Sequence, residues 1–440
     1  MRPAITTRHA LLRLVAAAAL LAPAAPLAAQ TAPVPTLPKA PVPDEEPPPA
    51  PAPKTSPGKA QPAPTPKTPR AEPAEPAAVV GEPRPQPWEY RLGVGVIADT
   101  NTDFMPGGSS GTAIVPAGRI ARILSSSRGE LRAEAAGRWI GFPSQDIVDR
   151  TYVDAGVRGD YESSPRTSWR GDVHYWLGYT DSSPTLIEQG VALPVGKSGT
   201  FSGEVALDQT LGERTFLRAG GRVLSIEFDD PDYIDGASLR ATLEIGRRLG
   251  ARDSASFAYA LERVGFGEEG ESYFSHFGSL QWTRTLSPQS AVLLEAGASY
   301  TPAASEVGMS RSEGFFGGVS FRRQIGRSSL NAYLRREVAP AFGLGVSRLE
   351  TRLGLRADKP MGRDWVASLA AFHIQPETPE GETKLFASSS DVVATLDRRF
   401  GRHFTISGEA RYRRRGEVVY EPPLSAFQGG LYLTFGTSER

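Results

Sequence analysis

Arg348-Leu349-Glu350-Thr351-Arg352-Leu353-Gly354-Leu355-Arg356, closed by the turn Lys359-Pro360-Met361-Gly362-Arg363, sets the pattern on which the rest of the chain reads. Leu349, Thr351, Leu353 and Leu355 fall on one face, and Arg348, Glu350, Arg352 and Arg356 on the other. That period of two belongs to a β-strand; an amphipathic helix would repeat near 3.6. Tyr90, Leu92, Val94 and Val96 alternate with Glu89 and Arg91 in the same way. So do Val153, Ala155, Val157, Gly159 and Tyr161 with Asp154, Arg158 and Asp160, and Phe404, Ile406, Ala410 and Tyr412 with Glu409, Arg411 and Arg413.

Tight polar turns punctuate these runs: Ser125–Arg128, Ser163–Arg166, Gly212–Arg214, Gly250–Asp253, Ser287–Gln289, Gly326–Ser328, Lys359–Arg363 and Gly401–Arg402. Glycine, proline and serine are the residues such turns require. Nine longer, more acidic connections lie between them, from Thr100–Ser110 to Arg414–Pro423. Eight turns and nine loops predict eighteen antiparallel strands. A propeller blade would need four short strands per repeat, and a soluble sandwich seldom needs so many long ones.

Composition divides the chain into three. Of its 38 prolines, three lie in residues 1–30, 20 in residues 31–87 and 15 in residues 88–440. Residues 1–30 read as a secretory signal, with Arg2 and Arg8, the apolar stretch Leu11–Leu21 interrupted by Arg13, and small residues from Ala24 to Ala29. Residues 31–87 carry six basic and six acidic residues and few large apolar ones, so they predict a disordered spacer in the periplasm. Extended at about 3.1 Å per residue it would reach on the order of 180 Å, enough to touch cell wall or a periplasmic partner. Residues 88–440 hold the barrel.

Several classes drop out. The chain has no cysteine, hence no disulfide and no thiolate metal site. After residue 30 no apolar run approaches 18 residues, which excludes a helical membrane protein. The 49 basic and 49 acidic residues balance with no basic arm, which argues against nucleic acid as partner. His174, His276, His373 and His403 stand apart, and no zinc helix, nucleophile elbow or phosphate loop is present. No catalytic residue, metal or cofactor is expected. Asp99-x-Asn101-x-Asp103 opens like a calcium loop, but Phe104 stands where the glycine belongs, so a solvated acidic rim is the expectation. That rim would also include Asp146, Asp149, the Asp229–Asp235 loop, Glu268, Glu269, Glu271, Glu377, Glu380 and Glu382.

Aromatic placement points to a membrane. Trp88, Tyr161, Trp169, Trp282, Trp365, Phe404 and Phe435 fall on the apolar face near the short turns. Trp139, Tyr152, Tyr179, Phe201, Tyr300, Phe372 and Tyr412 fall toward the other ends, and two such bands are the girdles of a membrane barrel. The polar face would line the lumen with Arg132, Glu134, Arg138, Arg170, Asp172, His174, Arg218, Arg222, Arg335, Glu337, Arg348, Glu350, Arg352, Arg356, Glu409 and Arg411. Two roles stay open for these charges: a ladder of ion pairs bracing the wall, or a constriction whose field sorts solutes.

The last strand, Gly430-Leu431-Tyr432-Leu433-Thr434-Phe435, resembles the assembly signal of outer-membrane barrels, apart from the five-residue tail Gly436–Arg440. With Asp99-x-Asn101-x-x-Phe104 and the even strand count, residues 88–440 resemble the β-barrel porin family of Gram-negative outer membranes, some of whose relatives accompany exopolysaccharide secretion. The resemblance implies outer-membrane lipid and the barrel-assembly machinery as partners, the latter through the final strand. It implies an aqueous channel for passive diffusion of small hydrophilic solutes. A polysaccharide conduit and a non-conducting structural or adhesive barrel are the alternatives.

Overall fold

The computed structural model describes residues 88–436 apart from 103, 106–107, 144–148, 181–182, 184–185, 187–194, 268–270, 303–311, 344–345, 378–386 and 418–421. The expected signal and spacer, and the last four residues, lie outside the described part.

Eighteen strands follow one another. The first six are β1 (Glu89–Asp99), β2 (Gly111–Ser126), β3 (Gly129–Ile140), β4 (Arg150–Ser164), β5 (Thr167–Tyr179) and β6 (Lys197–Thr210). Then come β7 (Thr215–Phe228), β8 (Gly236–Arg248), β9 (Asp253–Phe266), β10 (Glu271–Ser287), β11 (Ser290–Thr301) and β12 (Ser312–Ile325). The last six are β13 (Ser328–Ala341), β14 (Val346–Met361), β15 (Trp365–Pro376), β16 (Ser389–Phe400), β17 (Phe404–Arg415) and β18 (Leu424–Gly436).

Each strand pairs antiparallel with its neighbour in sequence, and β1 pairs with β18 from Arg91↔Gly436 to Asp99↔Gln428. The sheet is therefore a closed 18-stranded barrel, and closure leaves no edge with unpaired backbone groups. All eight expected turns join an even strand to the next odd one. Gly326, Gly362 and Gly401 take φ of 59°, 78° and 67° in three of them, which a side chain would disfavour. The last long connection is shorter than expected, because β17 runs on to Arg415.

Directly paired residues share a face, so the registers sort every strand into inward and outward positions. Leu92, Val96, Leu280, Leu353 and Leu431 point outward and are each more than half exposed. Ile97, Val115 and Leu224, on the opposite parity, are buried inside. Trp88, Trp169, Phe404 and Phe435 are exposed, and Tyr161, Trp282 and Trp365 are half-buried at outward positions.

Two residues of the second expected band face the other way. Tyr152 pairs with Arg138 and is 4% exposed, and Phe372 pairs with Asp391 and Gly354, all inward positions. Tyr179, at the end of β5, is buried against Tyr152 with ring centroids 5.7 Å apart. Aromatic character near a strand end does not fix the face: parity places Tyr152 and Phe372, and Tyr179, where β5 ends, packs on Tyr152 despite sharing the parity of the exposed Tyr175 and Leu177.

Candidate functional site

Inward charged side chains gather into chains of ion pairs that cross several strands. On β13 and β14, Arg335 reaches Glu295 of β11 at 3.4 Å and Glu337 at 3.6 Å, and Arg352 meets Glu337 at 3.2 Å. Glu350 then sits between Arg352 and Arg348, with Arg348 Nε donating at 2.8 Å, and its side chain is fully buried. Ser279 Oγ and Gln281 Nε2 also donate to Glu295, at 2.9 and 3.1 Å. A second chain links Arg170, Asp208, Arg218 and Glu244, with Arg218 Nε 2.7 Å from Asp208. A third joins Arg119, Glu134, Arg132 and Glu89 at 2.6, 3.0 and 3.2 Å.

The other expected lining residues are placed as follows. His174 Nε2 is 2.9 Å from Asp154. Asp172 lies in register between Arg158 and Glu204, and one of its carboxylate oxygens is buried without a hydrogen bond. Arg222 stands between Glu204 and Arg240 and is exposed on the inner face. Arg356 is 3.5 Å from Asp358 with its side chain 62% exposed. Arg138 stacks on Tyr152 at 4.3 Å, and Arg411 Nε donates to Asp391 at 3.0 Å. Arg138, Glu409 and Arg411 border one small cavity of about 40 Å³, with Asp99, Arg150 and Arg413.

The acidic partners Asp208, Glu244, Glu295 and Asp391 were missed among the candidates, although strand parity puts them on the polar face. The contribution of the loops had no periodic signal. Asp99 does not belong to a solvated rim: it is 6% exposed, accepts the Asn101 N–H at 2.9 Å and pairs with Arg413 at 3.2 Å. Phe104 packs on Leu424 and Ala426, and Arg413 lies 5.0 Å from its ring centroid. The motif Asp99-x-Asn101-x-x-Phe104 thus folds the first loop against the wall. Asp229 and Asp232 are exposed, and Glu377 pairs with Arg336 at 2.6 Å. Asp103, Asp146, Glu268, Glu269, Glu380 and Glu382 lie outside the described residues.

At the loop end part of the inner wall is apolar and covered. Leu186 of the β5–β6 connection and Phe342 of the β13–β14 connection are both 0% exposed and pack on Leu224, Ile226, Val264, Phe266 and Tyr273. Ile234 and Gly343 exchange two backbone hydrogen bonds of 3.2 and 2.9 Å, tying the β7–β8 loop to the β13–β14 loop. The hydroxyls of Tyr273 on β10 and Ser347 on β14 also hydrogen-bond. Strands four to six places apart around the wall are joined this way, so the loops reach across the interior. A second cluster, including Phe142, Tyr152, Trp176 and Tyr179, lines β1 to β5 at the same end. The Arg170–Glu244 and Arg119–Glu89 chains lie toward the short turns, whereas at the loop end these apolar clusters stand beside the buried charges Asp99, Arg150, Glu262, Arg348, Glu350, Asp391 and Arg413.

No protein-family model matches the chain, and no curated protein matches it. Among solved structures it is similar to the outer membrane protein OpdK of Pseudomonas aeruginosa, with 11% identity over 80% of this chain and 99% of that one and a TM-score of 0.40. It is similar to OccAB4 of Acinetobacter baumannii, with 9% identity over 81% and 100% and a TM-score of 0.41. It is also similar to the siderophore receptor PirA of Pseudomonas aeruginosa, with 10% identity over 79% and 80% and a TM-score of 0.38. Likeness of this degree assigns no function; the architecture stands on the strand pairing itself.

Proposed function

We propose that the chain is an outer-membrane channel for small hydrophilic solutes, with its entrance narrowed by loops folded into the loop end. One observation carries this reading: a closed sheet whose outer face exposes large apolar side chains while its inner face carries ion-paired charge. So much exposed apolar surface requires lipid, and a barrel of 16 to 18 strands leaves room for an aqueous path. Paired charges of both signs, screened within about 8 Å at physiological salt, support weak ionic selectivity. Residues 88–440 hold 40 basic and 43 acidic residues, in keeping with that weak preference. Single-channel recording of the purified barrel in planar bilayers is the test; a barrel that inserts and carries no current refutes the passive channel. The apolar packing of Leu186 and Phe342 favours a second reading, a conduit that opens only when its loops are displaced.

An even strand number puts both termini on one side, and an exported N-terminus starts in the periplasm. The short turns then face the periplasm and the acidic loops the exterior. A cysteine at Asp232 is expected to react with an impermeant maleimide on whole cells, and one at Arg252 to remain unlabelled; the reverse pattern inverts the orientation.

The Pro-rich segment acts as a spacer in this reading. Deleting residues 31–80 is expected to leave insertion and heat-modifiable gel migration unchanged, because those residues add no strand. Loss of the folded barrel would give the segment a plugging or nucleating role.

A further inference from the structure

The outward face carries charge unevenly between the two ends of the barrel. Near the short turns, Arg122, Arg247, Arg284, Arg323, Lys359 and Arg398 are exposed, each on an even-numbered strand a few residues before its turn. On one side their cross-strand partners are the apolar, outward Ala133, Ala255, Val292, Leu330, Ala367 and Ile406; on the other side Thr215, Asp253 and Ser290 pair with Arg247, Arg284 and Arg323. Among the described residues only Arg284 has a carboxylate within reach, Asp253 at 3.9 Å. At the loop end outward charges of both signs mix: Lys197, Arg263, Arg336 and Arg414 stand with Glu227, Glu313 and Glu377, and Arg336 holds Glu377 through two hydrogen bonds of 2.7 and 2.6 Å.

Three of the five guanidinium groups in this row are held against aromatic rings of the turn-side band. Arg122 lies 5.2 Å from the Trp88 ring centroid, and Arg284 lies 5.9 Å from that of Trp282. Arg398 lies 5.0 Å from Trp365 and 4.5 Å from Phe400. An aromatic ring at this level sits among lipid headgroups, and a cation stacked on it is placed at the same depth.

We propose that this belt binds the headgroups of anionic phospholipids. The proposal rests on the membrane-barrel reading above and adds the chemistry of the lipid. Charge complementarity selects the occupant: a row of cations near the short turns, bordered by apolar surface and with only one of them near a carboxylate, fits many small anions that carry apolar tails. A single folded partner would meet only one arc, whereas the cations run from β8 through β16 and recur on β2. Juxtamembrane basic residues are known to draw anionic lipid in a salt-dependent way.

The test uses the full-length barrel refolded into vesicles of phosphatidylcholine alone and of phosphatidylcholine mixed with phosphatidylglycerol. Insertion is read by heat-modifiable migration, and the lipid that stays with the barrel after mild detergent extraction is read by mass spectrometry. Wild type is expected to retain phosphatidylglycerol enriched several-fold over the vesicle composition, and to lose that enrichment in high salt. The quadruple variant Arg122→Gln, Arg284→Gln, Arg323→Gln and Arg398→Gln is expected to lose it, and the matching lysine variant to keep it. Insertion into both vesicles with no enrichment, or enrichment that survives the glutamines, overturns the headgroup site and leaves the barrel reading standing. Failure to insert into either vesicle overturns the membrane reading and this proposal with it. Should the glutamine variant fail to fold, the salt dependence of wild type and the lysine variant decide.

Discussion

Phe342→Ala is expected to raise single-channel conductance several-fold while leaving the heat-modifiable barrel intact. Phe342 is fully buried, 5.8 Å centroid to centroid from Phe266 in an edge-on contact, within the cluster that closes the loop end. Truncating a buried phenylalanine removes about 3–5 kcal/mol. A loop docked by a few such contacts opens locally at a cost of that order, so the balance moves toward the open form. None of the eighteen strand pairings includes Phe342, so the wall is untouched. Gly343→Val should act in the same direction, because Gly343 takes φ of 85° and makes the bridge to Ile234. Phe315→Ala is the control: that ring is 78% exposed on the outer face, and its loss should leave the current unchanged. Unchanged conductance in both loop variants would take the cluster off the solute path.

The wall was legible because a barrel strand is read locally. Alternation fixes the face, turn residues fix the ends, and every strand repeats the same two constraints; Leu353 and Arg352 need no distant information to be sorted. The bracing of the charges was legible only as one of two possibilities, since Arg335 meets Glu295 two strands away through the tilt of the sheet. Tyr152 was sorted by chemistry instead of parity and landed on the wrong face. The loop end had no signal at all. Leu186, Ile234 and Phe342 come from three separate connections, and their burial is decided by contacts across the barrel that no periodicity encodes.

Glu350→Gln is the variant that separates bracing from field. Glu350 is fully buried between Arg348 and Arg352, whose side chains are 4% and 16% exposed. Removing the charge leaves two guanidinium groups facing an amide that can accept at only one oxygen. Breaking a buried pair in this way costs about 3–5 kcal/mol. A marked fall in the temperature at which the barrel loses its heat-modifiable form is therefore expected. Because one negative charge is lost from the inner wall, the reversal potential should also move toward anions. Arg356→Glu gives the opposite signature. Its side chain is 62% exposed and lies 3.5 Å from Asp358, a contact worth at most about 1 kcal/mol. Stability should hold while the reversal potential moves toward cations. Replacing Arg348, Arg352 and Arg356 together with glutamine would mix the two effects, since two of the three are committed to Glu350 and the third is not. If Glu350→Gln destabilises the barrel without moving the reversal potential, the ladder is structural and Arg356 alone borders the path. If Arg356→Glu also leaves selectivity unchanged, the narrow point lies at the loop end, where Phe342 and Leu186 pack on the inner wall.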